Sequence, residues 1–289
     1  MSYRGRFAPS PTGALHFGSL VAAVGSWLAA RAAGGAWLVR IEDIDPPREV
    51  PGSAQDILAT LAALGLEADE PVVYQSRRTP AYDAAFETLQ RQGLVFPCWC
   101  SRSDLEPLGG VHRGACIAAP DASRQPAWRV RAPDVEIAFD DTIAGPQTHA
   151  LAGDGDFVVR RVEGWYAYQL AVVVDDAFQG ISDVARGADL LESTPRQIFL
   201  QRLLGVASPR YLHVPVAVDA HGRKLSKETG AAALPASAVS ALMAAWRFLE
   251  QPVPDDPLQT VAEFWSWARA RWHPAQLPRV AMRPAPRRV

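Results

Sequence analysis

His16 and Ser19 close a stretch of unusual composition, Arg6-Phe7-Ala8-Pro9-Ser10-Pro11-Thr12-Gly13 followed by His16-Phe17-Gly18-Ser19. Far downstream, Lys224-Leu225-Ser226-Lys227-Glu228 sets two ammonium groups three positions apart, behind the turn Asp219-Ala220-His221-Gly222. The two stretches suit one chemistry. A strand that gives way to a helix at His16 and Ser19 offers unpaired N–H groups and a positive dipole. Gly13 and Gly18 let the backbone approach a nucleotide closely. Lys224 and Lys227 can reach a triphosphate as point charges. Joining a carboxylate to the α-phosphate of ATP requires such positioning and charge stabilisation, with no covalent protein intermediate. Alone, each stretch has a plainer reading: a glycine-bearing turn capped by His16, and a solvated basic turn. Their order on one chain favours the shared nucleotide.

Two further groups of residues could do chemistry. Arg40-Ile41-Glu42-Asp43-Ile44-Asp45 ends an apolar run of strand length, and ligands of open α/β sheets sit at the carboxyl ends of strands. Glu42 there can hold an ammonium group, and Arg6, on a neighbouring strand end, a carboxylate by a two-pronged contact. Tyr168 and Arg186 fall in the later half of the sheet; by themselves they read as a core-edge tyrosine and a surface arginine. An ammonium site with an arginine-lined carboxylate site describes an acidic amino acid. All three cysteines of the chain lie in one segment, Cys98, Cys100 and Cys116, with His112 between them. Three thiolates and an imidazole suit tetrahedral zinc; buried free thiols are the plainer alternative, and a redox pair fits a C-x-C spacing less well.

These residues need elements to hold them. A short strand over about 4–9, a helix carrying Leu15, Leu20, Val21, Val24 and Leu28 with Gly34-Gly35 as its stop, and a strand at Ala36–Ile41 make a βαβ unit and hence a parallel sheet. Ser53 reads as the cap of an amphipathic helix ending at Gly65, and Thr79-Pro80 opens another ending at Gly93. The cysteine segment interrupts this rhythm, and Trp128-Arg129-Val130-Arg131 reads as a strand returning to the main body. The chain is apolar again from Tyr166 to Val174. Ser193-Thr194-Pro195 caps a helix with Ile198, Leu200, Leu203 and Leu204, and Val214–Val218 reads as a strand. Two helical patterns follow, near Pro235–Glu250 and Pro257–Trp272.

With 48 % hydrophobic and 21 % charged residues, the chain of 289 residues has the makings of an ordinary core. No apolar stretch is long enough to span a membrane, and the start, MSYRGRF, has no secretory apolar region. Three cysteines, an odd number, argue against a disulfide scaffold and for a reducing cytoplasm. A net charge of −2 argues weakly against a long nucleic-acid track, although a basic face can hide in a sum.

RFAPSPTG with HFGS, WLVRIEDIDPPR, the C-x-C…His…Cys segment, GISDVARGADLL and KLSKE together resemble the catalytic part of the glutamyl-tRNA synthetases. HFGSL and RIEDIDPPREVPG are more similar to the shortened members of that group, which act on the queuosine of tRNA(Asp). The likeness spans roughly residues 4–230. It implies a Rossmann-type class I catalytic domain in 1–95 and 129–230, a zinc-bearing subdomain inserted at 96–128, and a short helical region at 231–289 with no anticodon-binding domain. It implies activation of L-glutamate with ATP and Mg²⁺. The glutamate contacts would be Arg6, Phe7, Ala8, Pro9, Ser10, Glu42, Tyr168 and Arg186. ATP would meet His16, Gly18, Lys224 and Lys227, with His16, Ser19 and Lys227 catalytic. Zinc would take Cys98, Cys100, His112 and Cys116. The family pattern implies tyrosine where His112 stands; imidazole is the better zinc ligand. Glu228 replaces the usual serine and leaves both lysines in place.

The resemblance further implies a monomer without a membrane partner, whose acceptor is tRNA(Asp) carrying queuosine. The alternatives are a truncated enzyme charging the 3′ end of tRNA(Glu) and a non-catalytic tRNA-binding relative. The C-terminal residues 231–289 are too few for a large anticodon domain, and a relic would have no reason to keep His16, Glu42, Arg186 and Lys227 together.

Overall fold

The computed structural model describes residues 2–219, 221–225, 234 and 237–285. β1 (Arg4–Phe7) and β2 (Ala36–Ile41) lie parallel, with Arg6 opposite Leu38 and Phe7 opposite Val39, and β3 (Val73–Tyr74) extends beyond β2. The helix Phe17–Ala32 crosses between β1 and β2. Its periodic residues Leu20, Val21, Val24 and Leu28 are wholly buried, as their spacing requires of a helix laid on a sheet.

The chain then leaves the sheet. β4 (Val95–Cys98) and β5 (Ala127–Val130) pair antiparallel, the hairpin of β6 (Glu136–Asp141) and β7 (Gly145–Ala150) follows, and β8 (Phe157–Arg160) comes back to the other side of β5. β5 therefore stays with the cysteine-bearing sheet, where Trp128 is paired with both Pro97 and Arg160, instead of returning to the main body. The returning strand is β6. The expected boundaries at 95/96 and 128/129 fall within β4 and β5.

β9 (Asp183–Gly187) and β10 (Arg210–Val214) complete a sheet of order β7-β6-β10-β9. The two halves meet where the Ser182 amide donates to the Arg4 carbonyl at 3.0 Å and the Arg4 amide to Ser182 Oγ at 2.8 Å. Strand order reverses at this junction of β1 and β9, which is where open α/β sheets bind ligands.

The expected C-terminal helices form at Ala238–Phe248 and Val261–Arg271, and they belong to the main core. Trp265 lies against Trp27 with ring centroids 4.2 Å apart, Phe248 meets Phe17 edge-on at 5.6 Å, and Trp246 and Phe264 are fully buried. Burying such aromatics contributes about 1.5–3 kcal/mol each. β11 (Val216–Val218) pairs with β12 (Met282–Pro284), which braces the strand leading into Lys224. Val214–Val218 is thus two strands separated at Pro215. Among the described residues no helix is long and apolar enough to cross a membrane.

Candidate active site

A cleft of about 620 Å³ opens at the carboxyl ends of β1, β2 and β9. One wall is the backbone from Arg6 to Ser10. That loop is fixed by the Glu42 amide donating to the Pro9 carbonyl at 3.0 Å, and Gly13 turns it with φ of 126°, a region that favours glycine. Ser53, expected as a helix cap, does other work: the Gly13 amide donates to its hydroxyl at 2.8 Å, and the hydroxyl donates to the Gly13 carbonyl at 2.7 Å. Gly52 takes the cap position.

His16 is the N-cap of Phe17–Ala32 and accepts the Ser19 amide on Nδ1 at 3.2 Å. An amide only donates, so the ring proton sits on Nε2, 3.0 Å from Ser19 Oγ. A side chain at Gly18 would press on this imidazole at 3.3 Å. His16, Gly18, Ser19 and Lys224 all line the cleft. Lys224 pairs with Asp189 at 2.5 Å on the facing rim. Lys227 lies outside the described residues.

The opposite end holds buried charge. Arg6 reaches Asp176 with Nε and Nη2, at 3.1 and 3.3 Å, while Arg40 reaches it at 2.7 Å and Glu42 at 3.3 Å. The two-pronged face of Arg6 is thus engaged by an internal carboxylate, although Arg6 still lines the cleft. Burial would push the Asp176 carboxyl up, but Arg6 and Arg40 outweigh it and hold it below the usual range. For Glu42 the balance is reversed: burial dominates and pushes its carboxyl up despite Arg40 and Arg6. Glu42 lines the cleft with Arg40 as its ion-pair partner.

Arg186 is the converse. It is 5 % exposed and makes no ion pair among the described residues. Its donors go to neutral acceptors: His213 Nε2 at 3.0 Å, Gln197 Oε1 at 2.8 Å, Thr194 Oγ1 at 2.8 Å, and the Tyr168 hydroxyl and Leu190 carbonyl at 3.3 Å. Thr194 so serves Arg186, and the helix Thr194–Leu204 has no side-chain cap. Tyr168 and Arg186 share the cleft wall with Glu42.

Outside the cleft, Cys98, Cys100, His112 and Cys116 bring one ligand atom each within 4.8 Å of the others. His112 Nδ1 is bound to Asp156 Oδ2 at 2.8 Å, and Nε2 is buried without a hydrogen-bond partner among the described residues, which suits a metal-ligating nitrogen. Arg129 Nε donates to Cys98 Sγ at 3.3 Å. Burial and the neighbouring Cys98 and Cys100 push the Cys116 thiol up to about 12, so three sulfurs this close need a cation before all of them ionise. The donor set fits a metal ion.

A family model described as tRNA synthetases class I (E and Q), catalytic domain, matches residues 2–242. The chain is 52 % identical to the glutamyl-Q tRNA(Asp) synthetase of Pseudomonas aeruginosa, over 99 % of both chains. It is 54 % identical to that of Burkholderia mallei, over 93 % of this chain and 96 % of the relative. The chain belongs to the class I tRNA synthetases for E and Q, in the glutamyl-Q tRNA(Asp) synthetase family. Among solved structures, the glutamate-tRNA synthetase of Elizabethkingia anophelis matches with a TM-score of 0.70 and 27 % identity, over 80 % of this chain and 53 % of that one. A glutamate tRNA ligase from Elizabethkingia meningosepticum, solved in complex with its amino acid, matches equally well.

In this synthetase the described residues singled out by sequence line the cleft or form the cysteine cluster, and Lys227 lies outside the described residues. Sequence reasoning passed over Arg40, Asp176, Asp141, His213 and Asp156. A signal existed for two of them. Asp175-Asp176 interrupts the apolar helix run VVVDDAF, and a carboxylate so placed must find partners. His213 sits likewise inside YLHVPV.

Proposed function

We propose that this chain activates L-glutamate with ATP and transfers the glutamyl group to the queuosine of tRNA(Asp), acting as a monomer in the cytoplasm. The observation that carries the reading is one cleft lined at one end by the carboxyl of Glu42 and by Arg186, whose guanidinium has no counter-charge among the described residues, and at the other by a helix N-terminus with Lys224. Glu42 takes the substrate ammonium and Arg186 a carboxylate, with Tyr168 and the Arg6–Ser10 wall shaping the space. The α-carboxylate is thereby directed at the ATP phosphates, which meet His16, Gly18, Ser19, Lys224 and Lys227. His16 and Lys227 stabilise charge on the phosphoryl oxygens as pyrophosphate leaves. Mg²⁺ accompanies ATP and shields its phosphates, and Cys98, Cys100, His112 and Cys116 hold one structural zinc. The choice of acceptor is supported by the relatives' names, carried by matches along nearly their whole length.

Pyrophosphate exchange tests the first half, and transfer of labelled glutamate to tRNA with and without queuosine tests the second. The reading expects exchange with glutamate over glutamine and label only on queuosine-containing tRNA(Asp). Label released with a terminal adenosine, or equal labelling of tRNA lacking queuosine, would overturn the acceptor assignment in favour of charging tRNA(Glu).

A further inference from the structure

Three adjacent strands carry a buried relay that ends on Arg186. His213 on β10 is the register partner of Arg186 on β9, and Asp141 closes β6 on the other side of β10. Arg186, His213 and Asp141 are 5 %, 2 % and 3 % exposed. Arg186 Nε lies 3.0 Å from His213 Nε2, and His213 Nδ1 lies 2.6 Å from Asp141 Oδ2. A guanidinium has no acceptor, so His213 Nε2 must be unprotonated. The imidazole proton is then on Nδ1, where Asp141 accepts it. Asp141 is itself fixed: its Oδ1 accepts the amides of Ile143 at 3.0 Å and Ala144 at 2.8 Å, which leaves Oδ2 for the ring.

The arrangement differs in kind from that at Arg6. A carboxylate placed directly on Arg6 neutralises it. At Arg186 a neutral ring is interposed, so the guanidinium is oriented while its charge stays available. All five Arg186 donors are engaged, and the two longest contacts, to Tyr168 and Leu190, are the ones an incoming carboxylate can take over. The bond to His213 then holds the guanidinium plane during the exchange.

We propose that His213, held as its Nδ1–H tautomer by Asp141, is the positioning residue that presents Arg186 to the carboxylate of the bound amino acid, an inference that rests on the assignment of this cleft to glutamate.

The test compares variants in pyrophosphate exchange, with KM for glutamate and for ATP measured separately, and reads the wild-type tautomer from imidazole ¹⁵N shifts. His213→Asn keeps a donor for Asp141 but withdraws the acceptor from Arg186; KM for glutamate should rise about tenfold or more with KM for ATP unchanged. His213→Gln puts a carbonyl near the lost Nε2 and should recover most of that rise. In Asp141→Asn the backbone amides retain Oδ1, so the amide NH₂ faces Nδ1 and drives the ring proton to Nε2, against the Arg186 N–H. KM for glutamate should again rise at least about tenfold, with the altered tautomer visible in the spectrum. Should Asp141→Asn fail to fold, the contrast between the two His213 variants decides alone. Normal KM for glutamate in His213→Asn beside a defective Arg186→Gln would overturn this inference and leave the glutamate site standing. A wild-type spectrum with the proton on Nε2 would overturn it as well. Normal KM for glutamate in Arg186→Gln would remove the glutamate site itself.

Discussion

The Ser19 amide donates to His16 Nδ1 at 3.2 Å, so the imidazole caps the helix whose N-terminus faces the cleft. Capping fixes the ring, and the tautomer it imposes leaves an N–H on the other nitrogen, beside Ser19 Oγ. A phosphate oxygen arriving at that helix end meets the backbone amides beside this fixed ring.

His16→Ala should therefore lower glutamate-dependent pyrophosphate exchange by about a hundredfold or more, the scale of one lost transition-state donor. It should also cost about 1 kcal/mol of stability through the lost cap. Lys227→Ala should match the kinetic loss. Exchange within a few-fold of wild type in both would sink the ATP assignment.

Asp176 is the shared partner of two buried guanidiniums, and its loss leaves both charges undercompensated. Asp176→Asn should destabilise the fold by about 3–5 kcal/mol, which lowers Tm by roughly 5–15 °C. Because the carboxyl is held low in the native state by Arg6 and Arg40 against burial, its contribution is complete above the ordinary carboxylate value near pH 4 and is lost as pH falls below it. The variant should accordingly lose less stability than wild type on acidification through that range. Equal acid sensitivity in urea unfolding would contradict this.

The parallel βαβ unit was legible because Leu20, Val21, Val24 and Leu28 repeat at helical spacing beside the uninterrupted apolar run of β2. The cleft residues were legible because the motifs stand at strand ends and a helix start. The fate of β5 was hidden: Trp128–Arg131 has the alternation of a strand, but alternation does not name a partner, and Trp128 found two within the cysteine-bearing sheet. Ser53 and Thr194 read as caps by position, yet tertiary partners at Gly13 and Arg186 claimed their hydroxyls. Arg6 read as an open fork because nothing in one sequence reveals that Asp176, far along the chain, will fill it. The cysteine cluster was the most local signal and converged with all four residues.

Purified protein should hold one zinc per chain, and His112→Ala or Cys100→Ser should lose it. Asp156→Ala should keep all four ligands but release zinc to a chromogenic chelator with about 10–100-fold weaker affinity, since Asp156 fixes the ring through Nδ1. Metal-free protein whose unfolding is indifferent to chelator and to added zinc would rule the site out.

Glutamate binding should release protons at mildly acidic pH. Burial holds the Glu42 carboxyl above its ordinary value in the free protein, so below that raised value a fraction is neutral. An ammonium group set against it favours the ionised form and expels the proton. Affinity should therefore rise with pH from about 4.3, the ordinary glutamate value, and level off once Glu42 is ionised without ligand. Calorimetry in two buffers of different ionisation enthalpy counts the protons directly. In Glu42→Gln the released fraction should shrink, and affinity should fall at neutral pH, where the amide offers no charge to the ammonium. Undiminished proton release from Glu42→Gln would assign the titration elsewhere and remove Glu42 from the ammonium site.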